Sequence, residues 1–299
     1  MIAFIAASLL LVAPLPDSLL QTIQERIAIE PGAMVGLAYM DLASGDTVFL
    51  NADSSFHAAS TMKVPVMIQL FRAAARGSFR MKQGLLLVNQ FASIVDGSPY
   101  SLDPGADSDS TLYRRIGQRV PIDTLLRLMI IRSSNFATNT LITLVGAEEV
   151  TRTMRSLGAT RIQVLRGVED GKAFDKGLNN TTTARDMAII LRAIEEGRAA
   201  RPTDTREMIR ILLAQEFNER IPARLPAGVR VAHKTGDITA IAHDAAIVYP
   251  PGRKPYVLVV LTRGIQDARK SDRLIADLSA IIFTHATGRP PRASTTTDR

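Results

Sequence analysis

Ser60-Thr61-Met62-Lys63 heads an apolar stretch that runs to Phe71, and it sets a hydroxyl and an amine three positions apart. Val64, Met67, Ile68 and Phe71 recur at helical spacing, Pro65 falls where a first turn tolerates it, and Gly77 supplies a stop. A helix is therefore predicted from Ser60 onward. Residues at i and i+3 share a helix face, which brings the Ser60 oxygen toward the Lys63 nitrogen. A serine hydroxyl attacks poorly until a neighbouring base takes its proton. Lys63 can be that base only if it is held neutral, and burial or a second cation lowers a lysine pKa. Alone, the four-residue pattern is common on ordinary surface helices. Two motifs further along the chain give it weight.

Ser133-Ser134-Asn135 lies between two apolar runs of helical character, Leu125 to Ile131 and Phe136 to Val145. Read alone it is a polar helix-helix corner with Ser and Asn capping. His233-Lys234-Thr235-Gly236 closes a run of β character that starts at Gly228. A lysine, a small hydroxyl and a glycine at a strand end make a cationic edge that admits close backbone approach.

In this order the three motifs resemble those of the serine β-lactamase and penicillin-binding protein superfamily, and specifically of class A β-lactamases. That family has Ser-Asp-Asn at the middle motif; here Ser134 replaces the aspartate, while Ser133 and Asn135, the positions that face the pocket, are kept. The resemblance also takes in Thr181-Thr182-Thr183 and the terminal helices. It implies a two-lobed α+β fold, with an antiparallel sheet flanked by the N- and C-terminal helices and a separate all-helical lobe. It implies Ser60 as nucleophile, Lys63 as its base, Ser133 as the donor to the leaving nitrogen, and Asn135 as a ligand of both Lys63 and the substrate amide. Lys234 and Thr235 would take a substrate carboxylate. The backbone N–H groups of Ser60 and of Asp237, which follows Gly236, would form the oxyanion hole. The substrate would be a β-lactam or a D-alanyl-D-alanine-type peptide.

Removal of the acyl group is harder to read. Class A enzymes carry a Glu-x-x-Leu-Asn pattern whose glutamate activates the deacylating water. The stretch here is Arg166-Gly167-Val168-Glu169-Asp170-Gly171-Lys172-Ala173-Phe174-Asp175-Lys176-Gly177-Leu178-Asn179-Asn180. Matching on Leu178-Asn179 points to Asp175, one methylene short; matching on Arg166 points to Glu169. We place Glu169 first, against the plainer reading of a carboxylate paired with Arg166 or Lys172.

Periodicity supports the two-lobed plan independently. Leu19, Leu20, Ile23 and Ile27 mark an amphipathic helix starting at Asp17 or Ser18, and Met34 to Asp41 with Thr47 to Leu50 read as a hairpin turning at Ser44-Gly45. Asp96 to Ser110 reads as a surface loop, and Thr183 to Asp186 as a capping box. Val229 to Lys234, Ala245 to Tyr249 and Val257 to Thr262 give three more strands, and Leu274 to Ile282 the last helix. Strands at both ends with helices between imply one shared sheet and a helical middle. We assign residues 17–286 to the catalytic unit, with a sheet lobe over 17–59 and 220–286 and a helical lobe over 60–219.

Composition narrows the function classes. At 299 residues, 46% hydrophobic and 22% charged, the chain can bury one large core. Without cysteine there is no disulfide or thiol chemistry, and His57, His233, His243 and His285 form no His-x-x-x-His pair. No metal or organic cofactor is expected. The net charge of +7 is spread over scattered arginines, and with 5% aromatics and no tryptophan there is no stacking platform for nucleic acid. Such a surface suits anionic partners such as cell-wall polymers. Residues 1–13 are apolar but too short to span a bilayer stably. They read as the hydrophobic part of a secretory leader over 1–16, lacking a basic start, which implies a secreted or periplasmic protein. Residues 287–299 read as a polar disordered tail, and a monomer is expected. Two alternatives stay open: a D-alanyl-D-alanine carboxypeptidase or esterase on the same scaffold, marked by the altered loop and by His243-Asp244, and a non-catalytic sensor of β-lactams or wall peptides.

Overall fold

A computed structural model describes residues 16–289, so the leader and the polar tail lie almost wholly outside the described residues. In chain order the elements begin with helix α1 (Pro16–Ala28) and strands β1 (Met34–Asp41), β2 (Thr47–Leu50) and β3 (Phe56–His57). A single 3₁₀ turn over Ala59–Met62 then leads into α2 (Lys63–Ala75). Short strands β4 (Gly84–Leu86), β5 (Phe91–Ala92), β6 (Pro99–Tyr100) and β7 (Arg119–Pro121) precede α3 (Ile122–Ile131), α4 (Asn135–Val145), α5 (Ala147–Ser156) and α6 (Gly171–Asp175). β8 (Thr181–Thr182), α7 (Ala184–Glu195) and α8 (Pro202–Leu212) return the chain to β9 (Arg230–Ile238), β10 (Ile241–Tyr249), β11 (Tyr256–Arg263) and α9 (Ala268–Thr287).

The two ends of the chain do share one sheet, antiparallel throughout, in the order β2-β1-β11-β10-β9. Strand residues alternate between its faces. Val35, Leu37, Tyr39, Leu258 and Val260 pack with Leu19 and Ile23 of α1 and Leu274 and Leu278 of α9. Ala38, Met40, Val257, Val259 and Leu261 join the core of the helical lobe. Both faces are covered, which is why β11 is buried along all but its last residue. Helix α2 is buried on nearly every side, from Lys63 to Ala73, so its first turn is held as firmly as a core element.

Three expectations need correction. Ser60 sits on the 3₁₀ turn ahead of the α-helix, because Ala59 takes a left-handed φ of 44° and tightens the entry. Lys234 does not end its strand: β9 runs on to Ile238, paired residue by residue with β10, so Lys234-Thr235-Gly236 lies inside a rigid element. The stretch from Asp96 to Ser110 is no plain surface loop. It contains β6, which pairs with β5, and it buries Asp107 and Asp109. Asp107 accepts there from the N–H groups of Asp109, Asn135 and Phe136 and from the Tyr113 hydroxyl, while Asp109 accepts through Oδ1 from Thr111.

Candidate active site

Two lysines define the floor of the site. Lys63 and Lys234 are both fully buried, and the Ser133 hydroxyl lies between them, 3.0 Å from Lys63 Nζ and 3.1 Å from Lys234 Nζ. Lys63 also donates to the Ser133 carbonyl at 2.6 Å and to Asn135 Oδ1 at 3.0 Å; Lys234 donates to the Thr235 carbonyl at 2.8 Å. Loss of water, then the charge of Lys234, holds Lys63 well below the ordinary lysine range. Burial likewise brings Lys234 down, to about 7, against the opposing pull of Asp237.

The corner that offers Ser133 to both lysines carries the serine cap read from its sequence, together with Asp107, which the sequence did not reveal. Ser133 adopts φ 57°, a conformation that side chains rarely take, immediately before α4. Four backbone N–H groups open at the start of any helix. In α4 the Ser134 hydroxyl accepts from Ala137 N at 3.2 Å, and Asp107 accepts from both Asn135 N and Phe136 N at 2.9 Å. Ser134 is wholly buried in this role, which accounts for a small hydroxyl at the position where the family has aspartate.

Facing this floor is the segment between Gln163 and Thr181, which are bridged to each other. Arg166 ties its two limbs, donating to Leu178 O at 2.8 Å and Asn179 Oδ1 at 2.9 Å, while Asn180 Oδ1 accepts from Leu165 N at 2.8 Å. Asn139 of α4 holds the tip: its Oδ1 accepts from Val168 N at 2.6 Å and its Nδ2 donates to Val168 O at 3.0 Å. Gly167 leaves the room for this, since a Cβ there would come within 2.4 Å of Asn139 Oδ1. Glu169, also at a left-handed φ of 61°, accepts from Asn135 Nδ2 at 2.6 Å, and partial loss of water pushes its carboxyl up from the usual range. The two ends of the Asn135 amide thus touch Lys63 and Glu169.

The surroundings of the two candidate carboxylates differ. Arg166 is engaged with backbone and Asn179, and Lys172 pairs with Asp96, so neither cation is the partner of Glu169. Asp175 is exposed at the end of α6 and does not line the cleft. The cleft, of about 540 Å³, is lined by Ser60, Asn135, Glu169 and Asp237 among others.

Gly236 closes the third side. A Cβ on it would lie 2.9 Å from Ser60 N and 3.1 Å from Thr61 N, so glycine is required for β9 to approach the 3₁₀ turn. That approach brings the backbone of Gly236 against that of Ser60 and Thr61. His243 and Asp244 are directed elsewhere. The His243 ring is fully buried, its pKa brought down to about 4 by burial, with Nε2 2.8 Å from the carbonyl of His57. It braces the turn before Ser60 as a neutral group. Asp244 pairs with His233 at 3.0 Å and accepts from Ile221 N at 3.1 Å, behind β9.

Comparison with known proteins agrees with this geometry. Residues 18–286 match the family model described as Beta-lactamase enzyme family. The chain belongs to that family. It is a serine hydrolase of the class A type. It is 30% identical to a β-lactamase of Streptomyces albus G, over 84% of this chain and 79% of that protein. It is also 30% identical to the carbapenem-hydrolyzing β-lactamase KPC of Klebsiella oxytoca, over 82% and 81%. Among solved structures, a β-lactamase from Sphaerobacter thermophilus superposes with TM-score 0.78 at 27% identity, over 91% of this chain and 98% of that one. A point mutant of PBP-A, in acyl-enzyme complex with penicillin G, superposes with TM-score 0.78 at 28% identity, over 90% and 96%. Among the described residues no cluster of metal-ligating side chains occurs, and no helix is long and apolar enough to cross a membrane.

Several contributors escaped the sequence reading: Asp107, Asn139, Arg166 as a loop tie, and Arg220. None sits in a motif. Arg220 lies sixteen positions before Gly236 in the chain, yet donates to its carbonyl at 3.2 Å.

Proposed function

We propose that this chain hydrolyses the amide bond of β-lactams through an acyl-Ser60 intermediate. The observation that carries the proposal is the shared contact of Lys63 with Ser133 and Asn135, with Glu169 on the far end of the same amide. In the first half, Ser60 Oγ attacks the lactam carbonyl and its proton passes to neutral Lys63. The oxyanion forms between the N–H groups of Ser60 and Asp237. As the C–N bond breaks, Ser133 delivers a proton to the departing nitrogen and is resupplied from the lysine pair. Lys234 and Thr235 hold the substrate carboxylate, and Asn135 its side-chain amide.

In the second half, Glu169 takes a proton from water, the resulting hydroxide attacks the ester carbonyl, and the proton finally returns to Ser60 Oγ as the acid leaves. A raised glutamate pKa makes it a better base near neutrality. The relative with a penicillin G acyl-enzyme supports the first half of this sequence on a closely similar fold. The chain is expected to act outside the cytoplasm, after loss of the leader, as a monomer.

Time-resolved mass spectrometry after penicillin exposure tests both halves. A hydrolase shows a transient adduct on Ser60 and sustained turnover of a chromogenic cephalosporin, both abolished by Ser60→Ala. One equivalent of a long-lived adduct rejects hydrolysis and moves the assignment to a penicillin-captured carboxypeptidase or sensor.

A further inference from the structure

Two histidines hold the backbone ahead of Ser60, and they differ in their access to water. His243 braces the carbonyl of His57 from β10 and is fully buried. His57 itself ends strand β3, is half-buried, and lines the cleft together with Ser60, Arg166 and Glu169. Its Nδ1 accepts from Ala59 N at 3.0 Å. Ala59 is the residue whose φ of 44° tightens the entry to the nucleophile's turn. A side chain keeps such a conformation only where surrounding contacts hold it. The neighbouring holds are backbone bonds, from Ala58 N to Asn180 O at 2.8 Å and from Thr61 N to Ala58 O at 3.1 Å. The hold on Ala59 N ends instead on a titratable ring at the cleft.

That bond fixes where the ring carries its proton. Nδ1 accepts only while it bears no hydrogen, so the neutral ring is protonated on Nε2. Burial, and then the guanidinium of Arg166, hold the His57 pKa below the ordinary histidine range, against a hydrogen bond to Asn179. Asn179 is the side chain that Arg166 also grips, at 2.9 Å, so His57 joins the nucleophile's turn to the facing segment. A charged ring would set an N–H against the Ala59 N–H and a cation beside Arg166. The carboxylates of Glu169, Asp170 and Asp237 line the same cleft, but none of them bonds to Ala59 N. His243, at its pKa of about 4, adds no charge from the β10 side.

We propose that His57 is a positioning residue for Ser60: its unprotonated Nδ1 holds Ala59 N–H and keeps the nucleophile's turn closed, and protonation releases it. The proposal rests on Ser60 being the acylated nucleophile, and it adds an acid-side switch on acylation. Because the folded pKa is lowered, the hold is complete at neutral pH and is lost as pH falls through that value. The test follows adduct formation with benzylpenicillin by quenched-flow mass spectrometry between about pH 5 and pH 8, in the parent, His57→Ala and His57→Asn. Asparagine can accept from the N–H two residues on and does not titrate. At neutral pH His57→Ala should acylate at least about tenfold more slowly, and His57→Asn within about threefold of the parent. On acidification the parent loses rate through both Lys63 and His57, and His57→Asn through Lys63 alone. The ratio of parent to His57→Asn should therefore fall by up to about tenfold per unit below the His57 pKa. Nitrogen NMR of the unliganded protein reads the switch without chemistry: the Ala59 amide should shift with the titration of the His57 ring. A level ratio, a His57→Asn as slow as His57→Ala, or an Ala59 amide indifferent to the titration overturns the proposal. Should His57→Ala not fold, the ratio and the amide decide. A parent that forms no adduct rejects the hydrolase reading, and the amide titration still decides the role of His57.

Discussion

The floor of the site and the segment facing it are built on different terms. Lys63, Ser133 and Lys234 stand on a buried helix, a capped corner and the middle of edge strand β9, and each is held by several contacts that exclude water. Glu169 stands on a segment whose tip depends on Asn139 and whose limbs depend on Arg166 and Asn180. Among the described residues its side chain bonds to Asn135. The floor performs acylation in the proposed mechanism and the facing segment performs deacylation. Chemistry that needs a low-dielectric base is placed in the core, and chemistry that needs water is placed where water can reach.

The two regions can be separated by substitution. Removing the nucleophile should act on everything: Ser60→Ala is expected to lower turnover at least about a thousandfold and to leave no adduct, read by cephalosporin hydrolysis and intact mass. Touching only the facing segment should split the reaction. Glu169→Gln is expected to slow deacylation by about a hundredfold to ten-thousandfold, the usual worth of a general base, so that acyl-enzyme accumulates. Asp175→Asn should leave deacylation unchanged. Equal effects from both would undo the assignment of Glu169.

A third substitution reports on how the segment is held. Asn139→Ala removes two bonds to Val168 and strands a half-buried backbone pair, at a cost of about 1–3 kcal/mol in denaturant unfolding. Its kinetic effect should fall on deacylation more than on acylation; the reverse would mean that the segment does not depend on α4.

The smallest expected effect is a pH dependence belonging to the floor. Lys234 has a pKa lowered to about 7 and binds a carboxylate best when protonated. Rising pH through that value removes the charge, so KM for a carboxylate-bearing substrate should increase above about pH 7, by up to about tenfold per unit. Lys63 must be neutral to act, so the acylation step itself should gain from rising pH, at values below the ordinary lysine range. A KM that is flat across this range would show that the substrate anion is held by other groups.

The same contrast explains what could be read from residues alone. Part of the floor was legible, because local spacing sets Ser60 one turn from Lys63 and puts Lys234, Thr235 and Gly236 along one strand, although that turn is 3₁₀ and the strand runs on to Ile238. The facing segment was less so: two registers competed for its residues, with Glu169 placed ahead of Asp175, and the positive φ at Glu169, the room left by Gly167 and the grip of Asn139 that put Glu169 at the cleft depend on contacts far apart in the chain. His243 and Asp244 looked available as neighbours in sequence, yet alternate residues of a strand face opposite sides of the sheet, and neither reaches the cleft.

By itself, then, the sequence determined the element order, the shared sheet of the two termini and the three motifs, since these depend on spacing and local periodicity. Only the tertiary structure decided which carboxylate lines the cleft, how Asp107 caps α4, and that Asp237 lies on Arg220. Those are contacts between positions far apart in the chain, and side-chain identity fixes no such distance until the core has closed around it.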